Sequence, residues 1–237
     1  MKGKLYLIPS FLGSDNADEV FPELNKKIVR TISHFIVEEE RTTRRFLKKL
    51  LPEILINDLQ FKILNEQTKE EEIGDYLIPC NENSIGLISE AGIPCVADPG
   101  SQIVKIAHER NIEVVPLVGP CSIIMTLMAS GLNGQNFAFN GYLPVKRNDR
   151  IKMIKFYEKR SFNENQTQLF IEAPYRNTQL LEDILNNCET DTFLCIACDL
   201  TLPEQLIKTK KIKEWKTKIP DIQKRPAIFA FQKYKIV

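Results

Sequence analysis

Short apolar runs recur along the chain at intervals that leave room for a helix between them, and this alternation constrains the fold more than any other feature. Apolar runs of about four to eight residues are typical of buried strands. The runs cover residues 4–8, 34–37, 84–89, 113–117, 137–142, 169–172, 193–198 and 227–231. Strands that alternate with helices predict an α/β architecture with a mainly parallel sheet.

The segments between the runs place apolar residues three or four apart, as Ile103 and Ala107 do, and this spacing predicts helices. The predicted helices cover residues 42–51, 101–110, 121–130, 149–159 and 177–187. Ser101 is the expected N-cap of its helix, and Gly131 stands where a C-cap of the helix 121–130 is expected.

Residues 114–145 contain no charged side chain, although 27% of the chain is charged. Proline and glycine interrupt this segment too often for a membrane-spanning helix, which needs about 20 consecutive apolar residues. We therefore expect the segment to be buried at the junction of two domains, residues 1–117 and 118–237. Ligand clefts tend to form at such junctions.

The net charge is only +1, but it is unevenly distributed. Residues 1–118 carry 14 basic and 19 acidic side chains, whereas residues 119–237 carry 18 and 12. Basic residues cluster in 146–160, in 208–218 and around the predicted helix 42–51. Such clusters suit phosphate binding, although solvated helix faces are often equally basic.

Six scattered cysteines in a chain of this length predict reduced thiols and a cytosolic protein, and the apolar run 5–8 is too short for a signal peptide. Cys195 and Cys198 lie on a predicted strand, where residues three apart point to opposite faces and cannot bind one metal ion. His34 and His108 are isolated. We therefore expect no metal site.

Three loops at predicted strand ends carry the candidate chemistry. The loop 89–100 contains Gly92 and Gly100, which allow a ligand to approach the backbone; alternatively, it only turns the chain. The segment 119–122 opens the next helix with free amides and the Ser122 hydroxyl. The segment 172–176 pairs a carboxylate with a guanidinium, which could equally be a surface ion pair. Neither a Rossmann glycine motif nor a P-loop is present.

These motifs resemble those of the tetrapyrrole methylase superfamily of S-adenosylmethionine-dependent methyltransferases. They are most similar to the branch that methylates a ribose 2′-hydroxyl of small-subunit ribosomal RNA. That branch reads S-D-A-G-T-P-x-x-S-D-P-G, P-G-P-S-A with a later S-G, G-F-L-P, and Y-E-S-P-H-R. The corresponding segments here are 89–100, 119–122 with 129–131, 141–144 and 171–176, in the same order and spacing. A C-terminal helical extension of the ribosomal enzymes has no counterpart.

The resemblance implies two α/β domains with S-adenosylmethionine bound in a cleft between them, and commonly a homodimer. The cofactor contacts that it implies are Pro9, Ser89, Glu90, Ala91, Gly92, Ile93, Pro94, Asp98, Cys121, Ser122 and Ala197. The loop 9–14 is two residues longer than the family's, and the segment 171–176 lacks the family's aromatic and histidine residues. A changed RNA target or a different substrate is therefore an alternative.

Methyl transfer from a sulfonium to a hydroxyl requires alignment of the reacting groups, and a ribose hydroxyl needs a nearby base. The candidate bases are Glu172, Glu39 and Asp98. Each has a structural alternative: an ion pair with Arg176 for Glu172, a charge at a helix start for Glu39, and helix capping for Asp98.

The resemblance makes ribosomal RNA the leading partner, and we expect Arg41, Arg44, Arg45 and Arg176 to contact it. Two alternatives stay open at this point. One is a methylase of a tetrapyrrole or another small substrate. The other is a cofactor-binding paralogue without activity.

Overall fold

The computed structural model describes residues 3–235 and divides into two compact units, one up to Cys121 and the other from Ser122 onward. Each unit contains a five-stranded sheet with helices, so the predicted α/β class is confirmed. The boundary predicted between residues 117 and 118 lies on the connection that precedes this division.

The first unit has an entirely parallel sheet in the order β3-β2-β4-β1-β5. Its strands are β1 (Leu5–Ile8), β2 (His34–Val37), β3 (Gln60–Ile63), β4 (Ile85–Ile88) and β5 (Val114–Pro116). All four residues of β4 are buried because this strand lies in the middle of a sheet that is covered on both faces. The carboxyl ends of the parallel strands consequently meet at one edge.

Five helices accompany this sheet. They are α1 (Ala17–Val20), α2 (Glu23–Val29), α3 (Glu40–Leu50), α4 (Glu70–Ile73) and α5 (Gly100–Glu109), with 3-10 segments at Ile56–Asp58 and Gly74–Asn81. Phe35 and Leu47 belong to the apolar core on one face, while Ile36 and Ile103 belong to the core on the other. Alternation along β2 thus directs Phe35 and Ile36 into different cores.

The prediction that Ser101 caps its helix is wrong. Helix α5 begins at Gly100, one residue earlier, and Asp98 Oδ1 accepts a hydrogen bond from the Gly100 amide at 2.7 Å. The side chain of Asp98 thus accepts the hydrogen bond at the start of the helix that was expected of the Ser101 side chain.

The second unit has a mixed sheet in the order β6-β7-β10-β8-β9. Its strands are β6 (Phe137–Tyr142), β7 (Thr167–Ile171), β8 (Phe193–Cys198), β9 (Leu206–Lys211) and β10 (Ala227–Gln232). Only β6 and β7 are parallel, so the prediction of a mainly parallel sheet is wrong for this unit. The connection between β8 and β9 is a short loop, which suffices for antiparallel neighbours but not for a parallel crossover.

The helices of the second unit cover the two faces of its sheet. They are α6 (Ser122–Ser130), α7 (Arg147–Glu164), α8 (Asn177–Asn187) and α9 (Ile212–Trp215), with a 3-10 turn at Pro174–Arg176. Thr209 of β9 donates a hydrogen bond to the Ser130 carbonyl of α6 at 2.7 Å. Strand residues that point to the other face of the sheet, such as Phe170 and Ile196, pack with α8 residues such as Ile184. Helix α6 therefore lies on one face, and α7, α8 and α9 lie on the other.

The charge-free segment 114–145 is less buried than expected. Met128, Val118 and Val145 are 77%, 72% and 70% exposed, and Ile124, Phe137 and Tyr142 are also exposed. Helix α6 buries Ile123 and Leu127 and leaves Ile124 and Met128, four residues apart, on its outer side. The expectation of burial is wrong for these six side chains. No helix in residues 3–235 is long and apolar enough to cross a bilayer.

Candidate active site

In the first unit, the segments that follow β1, β4 and β5 pack against one another at the carboxyl edge of the sheet. The Ser10 amide donates a hydrogen bond to the Gly92 carbonyl at 2.9 Å. A Cβ on Gly119 would lie 2.2 Å from Pro9 Cγ, and a Cβ on Gly92 would lie 3.0 Å from the Pro120 carbonyl oxygen. Only glycine permits these two close approaches.

The loop 89–100 has a strained backbone held by side chains. Gly92 has a φ of +74°, and Cys95 and Ala97 are also left-handed, with φ of 68° and 64°. Left-handed non-glycine residues cost about 1–3 kcal/mol each and cluster at functional sites. The Ser89 hydroxyl donates to the Gly92 carbonyl at 3.2 Å, and Asp98 Oδ2 accepts from the Cys95 amide at 2.8 Å. These bonds fix the shape of the loop.

Two partly buried carboxylates lie at this edge. Burial raises the pKa of Glu38, and the charge of Asp98 raises it further, while a hydrogen bond to the Glu90 backbone opposes the shift. Burial also raises the pKa of Asp98, against the two backbone hydrogen bonds that it accepts. A cavity of about 10 Å³, the size of one water molecule, is lined by Glu38, Ser89 and Asp98 among others. Burial thus disfavours the charged form of both carboxyls, and a positively charged ligand bound beside them would favour it.

Glu39 is a helix cap. Its Oε1 and Oε2 accept hydrogen bonds from the Arg41 and Thr42 amides at 2.9 and 2.7 Å, and these bonds lower its pKa. Both oxygens are therefore occupied at the start of α3. The structure supports the helix-start alternative for this residue rather than a general base.

The Ser10 hydroxyl is a further candidate that sequence reasoning missed. Ser10 is buried, and its Oγ has no hydrogen-bond partner within residues 3–235. Its amide is bonded to Gly92, so the hydroxyl lies beside the loop 89–100. A buried hydroxyl without a partner has an unsatisfied donor that a ligand or a water molecule can use. Nothing in the local sequence distinguishes this serine from others.

The Cys95 thiol of this edge is not in a reactive form. Burial raises the pKa of the Cys95 thiol to about 12, with a smaller contribution from Asp98, so the thiolate form is disfavoured. Within the described part of the chain, no group of His, Cys, Asp and Glu side chains is arranged to hold a metal ion.

In the second unit, Glu172 follows β7 and forms a buried ion pair. Its Oε1 accepts hydrogen bonds from Arg176 Nη2 and from the Ala173 amide, the latter at 2.7 Å. Glu172 is only 3% exposed, so the alternative of a surface ion pair is wrong. Glu172 Oε2 and Arg176 Nε are buried and have no partner in residues 3–235. The pair thus keeps one acceptor and one donor available.

Three residues near this pair join neighbouring strand ends. Asn177 Nδ2 donates to the Arg225 carbonyl at 2.5 Å, and Arg225 Nε donates to Asp199 Oδ2 at 2.6 Å. Asp199 follows β8 with a left-handed φ of 50°. Sequence reasoning did not assign Asn177 or Arg225 because they are distant in sequence from their partners.

The structure does not bring all the predicted residues of the second unit together. Ala197 is buried on the sheet face that α6 covers, and Ser122 is the first residue of α6. Glu172 and Arg176 lie in the segment that follows β7, which ends at Ile171. Ser122 and Ala197 therefore share one face of the sheet, and no side-chain hydrogen bond or ion pair within residues 3–235 joins them to Glu172 or Arg176.

Several residues of the basic clusters are engaged in ion pairs. Arg150 is buried and pairs with Asp183 at 2.7 Å, and Arg147 pairs with the same carboxylate at 2.9 Å. Arg44 pairs with Glu40 and lies over the Phe61 ring at 4.7 Å. Arg41 and Arg45 are exposed and form no ion pair in the part of the chain that the structure describes.

Two relatives of the chain have the same name, and each match covers most of this chain. Ribosomal RNA small subunit methyltransferase I of Vibrio cholerae is 31% identical over 223 residues, which cover 93% of this chain and 73% of the relative. The Escherichia coli protein of the same name is 33% identical over 203 residues, covering 84% and 66%. No family model matches the chain.

Solved structures show the same fold at low sequence identity. The methyltransferase CobJ superposes with a TM-score of 0.63 at 13% identity, covering 97% of this chain and 94% of its own. The cobalt precorrin-4 methyltransferase CbiF gives 0.59 at 13% identity and the same coverage. Uroporphyrin-III C-methyltransferase from Thermus thermophilus, complexed with S-adenosylhomocysteine, gives 0.53 at 14% identity and covers 98% of each chain. The chain belongs to the ribosomal RNA small subunit methyltransferase I family.

Proposed function

We propose that this protein transfers a methyl group from S-adenosylmethionine to a ribose 2′-hydroxyl of small-subunit ribosomal RNA. The observation that carries the proposal is membership of the family, which rests on identity over 93% of the chain. The strained loop 89–100 at the carboxyl edge of the first sheet supports it, because ligands of open α/β sheets bind at that edge.

The residues of the first unit fit the cofactor. S-adenosylmethionine supplies a methyl group activated on a sulfonium cation. Gly92 holds the loop in a left-handed conformation, the Ser10 hydroxyl has no partner in residues 3–235, and Glu38 and Asp98 place two carboxyl groups at the loop. The contacts we propose in this unit are Pro9, Ser89, Glu90, Ala91, Gly92, Ile93, Pro94, Asp98 and Cys121. Ser122 and Ala197 are the contacts proposed in the second unit.

Glu172 is the proposed acceptor for the proton of the ribose hydroxyl. Arg176 and the Ala173 amide hold one carboxylate oxygen, and the other oxygen has no partner within residues 3–235. Asp98 and Glu39 are weaker candidates because backbone amides occupy both of their oxygens. A base needs a lone pair that is free to accept a proton, and Glu172 Oε2, although buried, accepts no hydrogen bond within residues 3–235.

A matched pair of variants tests this role. Glu172→Gln should lower the methylation rate by about 10²–10⁴-fold, the usual contribution of a general base, with cofactor affinity unchanged. Glu182→Gln is the control, because Glu182 is exposed on α8 in the same unit. Equal rates for Glu172→Gln and the wild type would exclude Glu172 as the base.

The activity is tested with methyl-labelled cofactor, unmodified small ribosomal subunits and tetrapyrrole precursors in parallel. After digestion to nucleosides, the label should appear in a 2′-O-methylated nucleoside. Label in a base, or only in the pigments, would overturn the assignment. Calorimetry that detects neither S-adenosylmethionine nor S-adenosylhomocysteine binding would indicate a paralogue without activity.

The RNA contacts that we propose are the exposed Arg41 and Arg45, together with Arg44 and Arg176. Arg44 and Arg176 also hold carboxylates of their own unit. Charge reversal of Arg45 should therefore weaken RNA binding without loss of stability, whereas charge reversal of Arg176 should reduce both. Filter binding and urea unfolding distinguish the two effects.

We also propose that the protein acts in the cytoplasm as a homodimer. Exposed apolar side chains support self-association, since patches of this kind mark interaction sites, and Met128 and Ile124 are the pair on α6. Met128→Lys should shift the mass measured by light scattering from dimer to monomer. Leu24→Lys, at another exposed apolar position, should leave the mass unchanged.

A further inference from the structure

Strand β9 and helix α9, with the residues that follow, carry six lysines that form no ion pair within residues 3–235. We call them the lysine strip: Lys208, Lys210, Lys211, Lys213, Lys216 and Lys218. The acidic residue inside this segment, Glu214, has its carboxylate at the start of α9, where Oε2 accepts from the Lys211 amide at 2.9 Å. The strip therefore presents uncompensated positive charge.

The other basic cluster of the second unit differs in this respect. On α7, Arg147 and Arg150 share Asp183, Lys152 lies near Asp149, and Arg160 pairs with Glu164. A cation that already has a carboxylate partner contributes less to binding a phosphate. Lys146, Lys155 and Lys159 of this cluster are exposed and form no ion pair within residues 3–235, whereas the strip has six lysines without an ion pair. The larger share of unpaired positive charge therefore lies on the lysine strip.

The strip has a defined arrangement. Lys208 and Lys210 are two residues apart on β9 and therefore lie on the same face of the strand. The Lys210 ammonium lies 5.0 Å from the centre of the Trp215 ring of α9. Helix α9 buries Ile212 and Trp215 and leaves Lys213 and Lys216 exposed, three residues apart. Lys208 and Lys210 therefore lie on the sheet face that α9 covers, next to Lys213 and Lys216, whereas Lys211 has the opposite parity and its ammonium lies over the Phe193 ring.

Protection of a sheet edge explains only part of this pattern. Strand β9 is an edge strand, and lysines on edge strands prevent pairing with other chains. The strip continues beyond the strand through Lys213, Lys216 and Lys218, where no ladder needs protection.

We propose that the lysine strip binds the phosphate backbone of the ribosomal RNA substrate. This inference rests on the proposed function, which supplies the RNA, and it identifies a contact surface outside the residues proposed for it above. A group of ammonium ions without carboxylate partners can contact successive phosphates, and such contacts position a nucleic acid without reading its sequence.

The test compares two triple variants of equal charge change. One is Lys208→Gln, Lys213→Gln, Lys216→Gln in the strip, and the control is Lys27→Gln, Lys69→Gln, Lys105→Gln in the first unit. All six lysines are exposed. The probes are small-subunit ribosomal RNA, intact small subunits, and vesicles of phosphatidylglycerol, with binding measured between 50 and 200 mM salt, roughly the range over which phosphate contacts are diagnostic.

The strip variant should lose at least about tenfold in RNA affinity at low salt and lower the salt slope by about 0.7–0.9 for each contact removed. Its affinity for S-adenosylmethionine, and all properties of the control variant, should match the wild type. RNA binding equal to that of the wild type, or a loss shared by the control, would overturn the inference and leave the proposed function intact. Wild-type protein that binds vesicles but not RNA, or transfers no methyl group to RNA, would overturn both.

Discussion

The two units organise their strand ends by different means. At the carboxyl edge of the first sheet, backbone segments pack directly on one another, as at Gly119 against Pro9 and at Gly92 against Pro120. In the second unit, buried ion pairs hold the segments that follow the strands. Examples are the pair of Glu172 and Arg176 and the pair of Asp183 and Arg150. The first edge is therefore sensitive to added atoms, whereas the second is sensitive to loss of a charge.

The largest effect should come from Asp183→Ala. Arg150, bonded to Asp183 by two nitrogens, also donates to the Val145 carbonyl after β6, and both side chains are nearly inaccessible. Removing one partner of a buried ion pair leaves an uncompensated charge and costs about 3–5 kcal/mol. Urea unfolding should show this loss in the free energy of unfolding.

Asp149→Ala is the control for this prediction, because Asp149 pairs with Lys152 at 3.6 Å on the surface. It should cost less than about 1 kcal/mol. If the two variants were equally stable, buried charge would not be what holds the second unit's strand ends.

Gly119→Ala should have the next largest effect, and in the other unit. The new Cβ would lie 2.2 and 2.3 Å from two atoms of the Pro9 ring, so the backbone must move, at a cost of about 1–3 kcal/mol. Gly134→Ala, where a Cβ meets nothing within 4 Å, should be neutral or slightly stabilising. Thermal unfolding of both variants checks the difference, and a stable Gly119→Ala protein would contradict the close packing.

The apolar content of each strand explains which strands could be predicted from the sequence. The prediction of strands at 34–37, 137–142 and 193–198 is confirmed to the residue, and β4 was found as an apolar run. Strands β3 and β9 were missed because polar side chains interrupt their apolar residues. Edge position alone is not the reason, because β6 is also an edge strand and its apolar run was recognised. An apolar run detects only those strands whose sequence is mostly apolar.

The candidate site could be predicted only as far as its loops. The loops 89–100 and 172–176 follow apolar strands, and that order alone places them at a sheet edge. The partners of these loops could not be predicted, because contacts such as Ser10 with Gly92 and Asn177 with Arg225 join distant parts of the chain. Packing selects such pairs, and the local sequence does not encode them.

A comparison of Gly92→Ala with Gly131→Ala separates the cost of a left-handed backbone from the cost of crowding by an added Cβ. Gly92 and Gly131 both have a left-handed φ, +74° and +69°, but only Gly92 would place its Cβ against other atoms. Both variants should lose about 1–2 kcal/mol of stability from the unfavourable φ. Only Gly92→Ala should also weaken S-adenosylmethionine binding in calorimetry. Equal affinities would remove Gly92 from the proposed cofactor contacts.

The smallest expected effect is the pH dependence of stability at two adjacent residues, Glu38 and Glu39, whose pKa values shift in opposite directions. The pKa of Glu38 is raised, chiefly by burial, so the folded protein binds its proton more tightly than the unfolded chain does, and the stability it contributes is lost as pH rises through its folded pKa. The pKa of Glu39 is lowered by the amides that it caps, so its contribution is present above the unfolded pKa and lost as pH falls.

Glu38→Gln should therefore be at least as stable as the wild type at pH 7, and Glu39→Gln should be less stable. Both differences should change systematically when urea unfolding is repeated from about pH 7 down to pH 4, near the ordinary glutamate pKa. For Glu38→Gln, the advantage over the wild type should shrink on acidification, because the wild-type carboxyl becomes protonated. For Glu39→Gln, the deficit should shrink for the same reason. If Glu38→Gln were destabilising at pH 7, its carboxylate would have a favourable partner in the folded protein, contrary to the raised pKa.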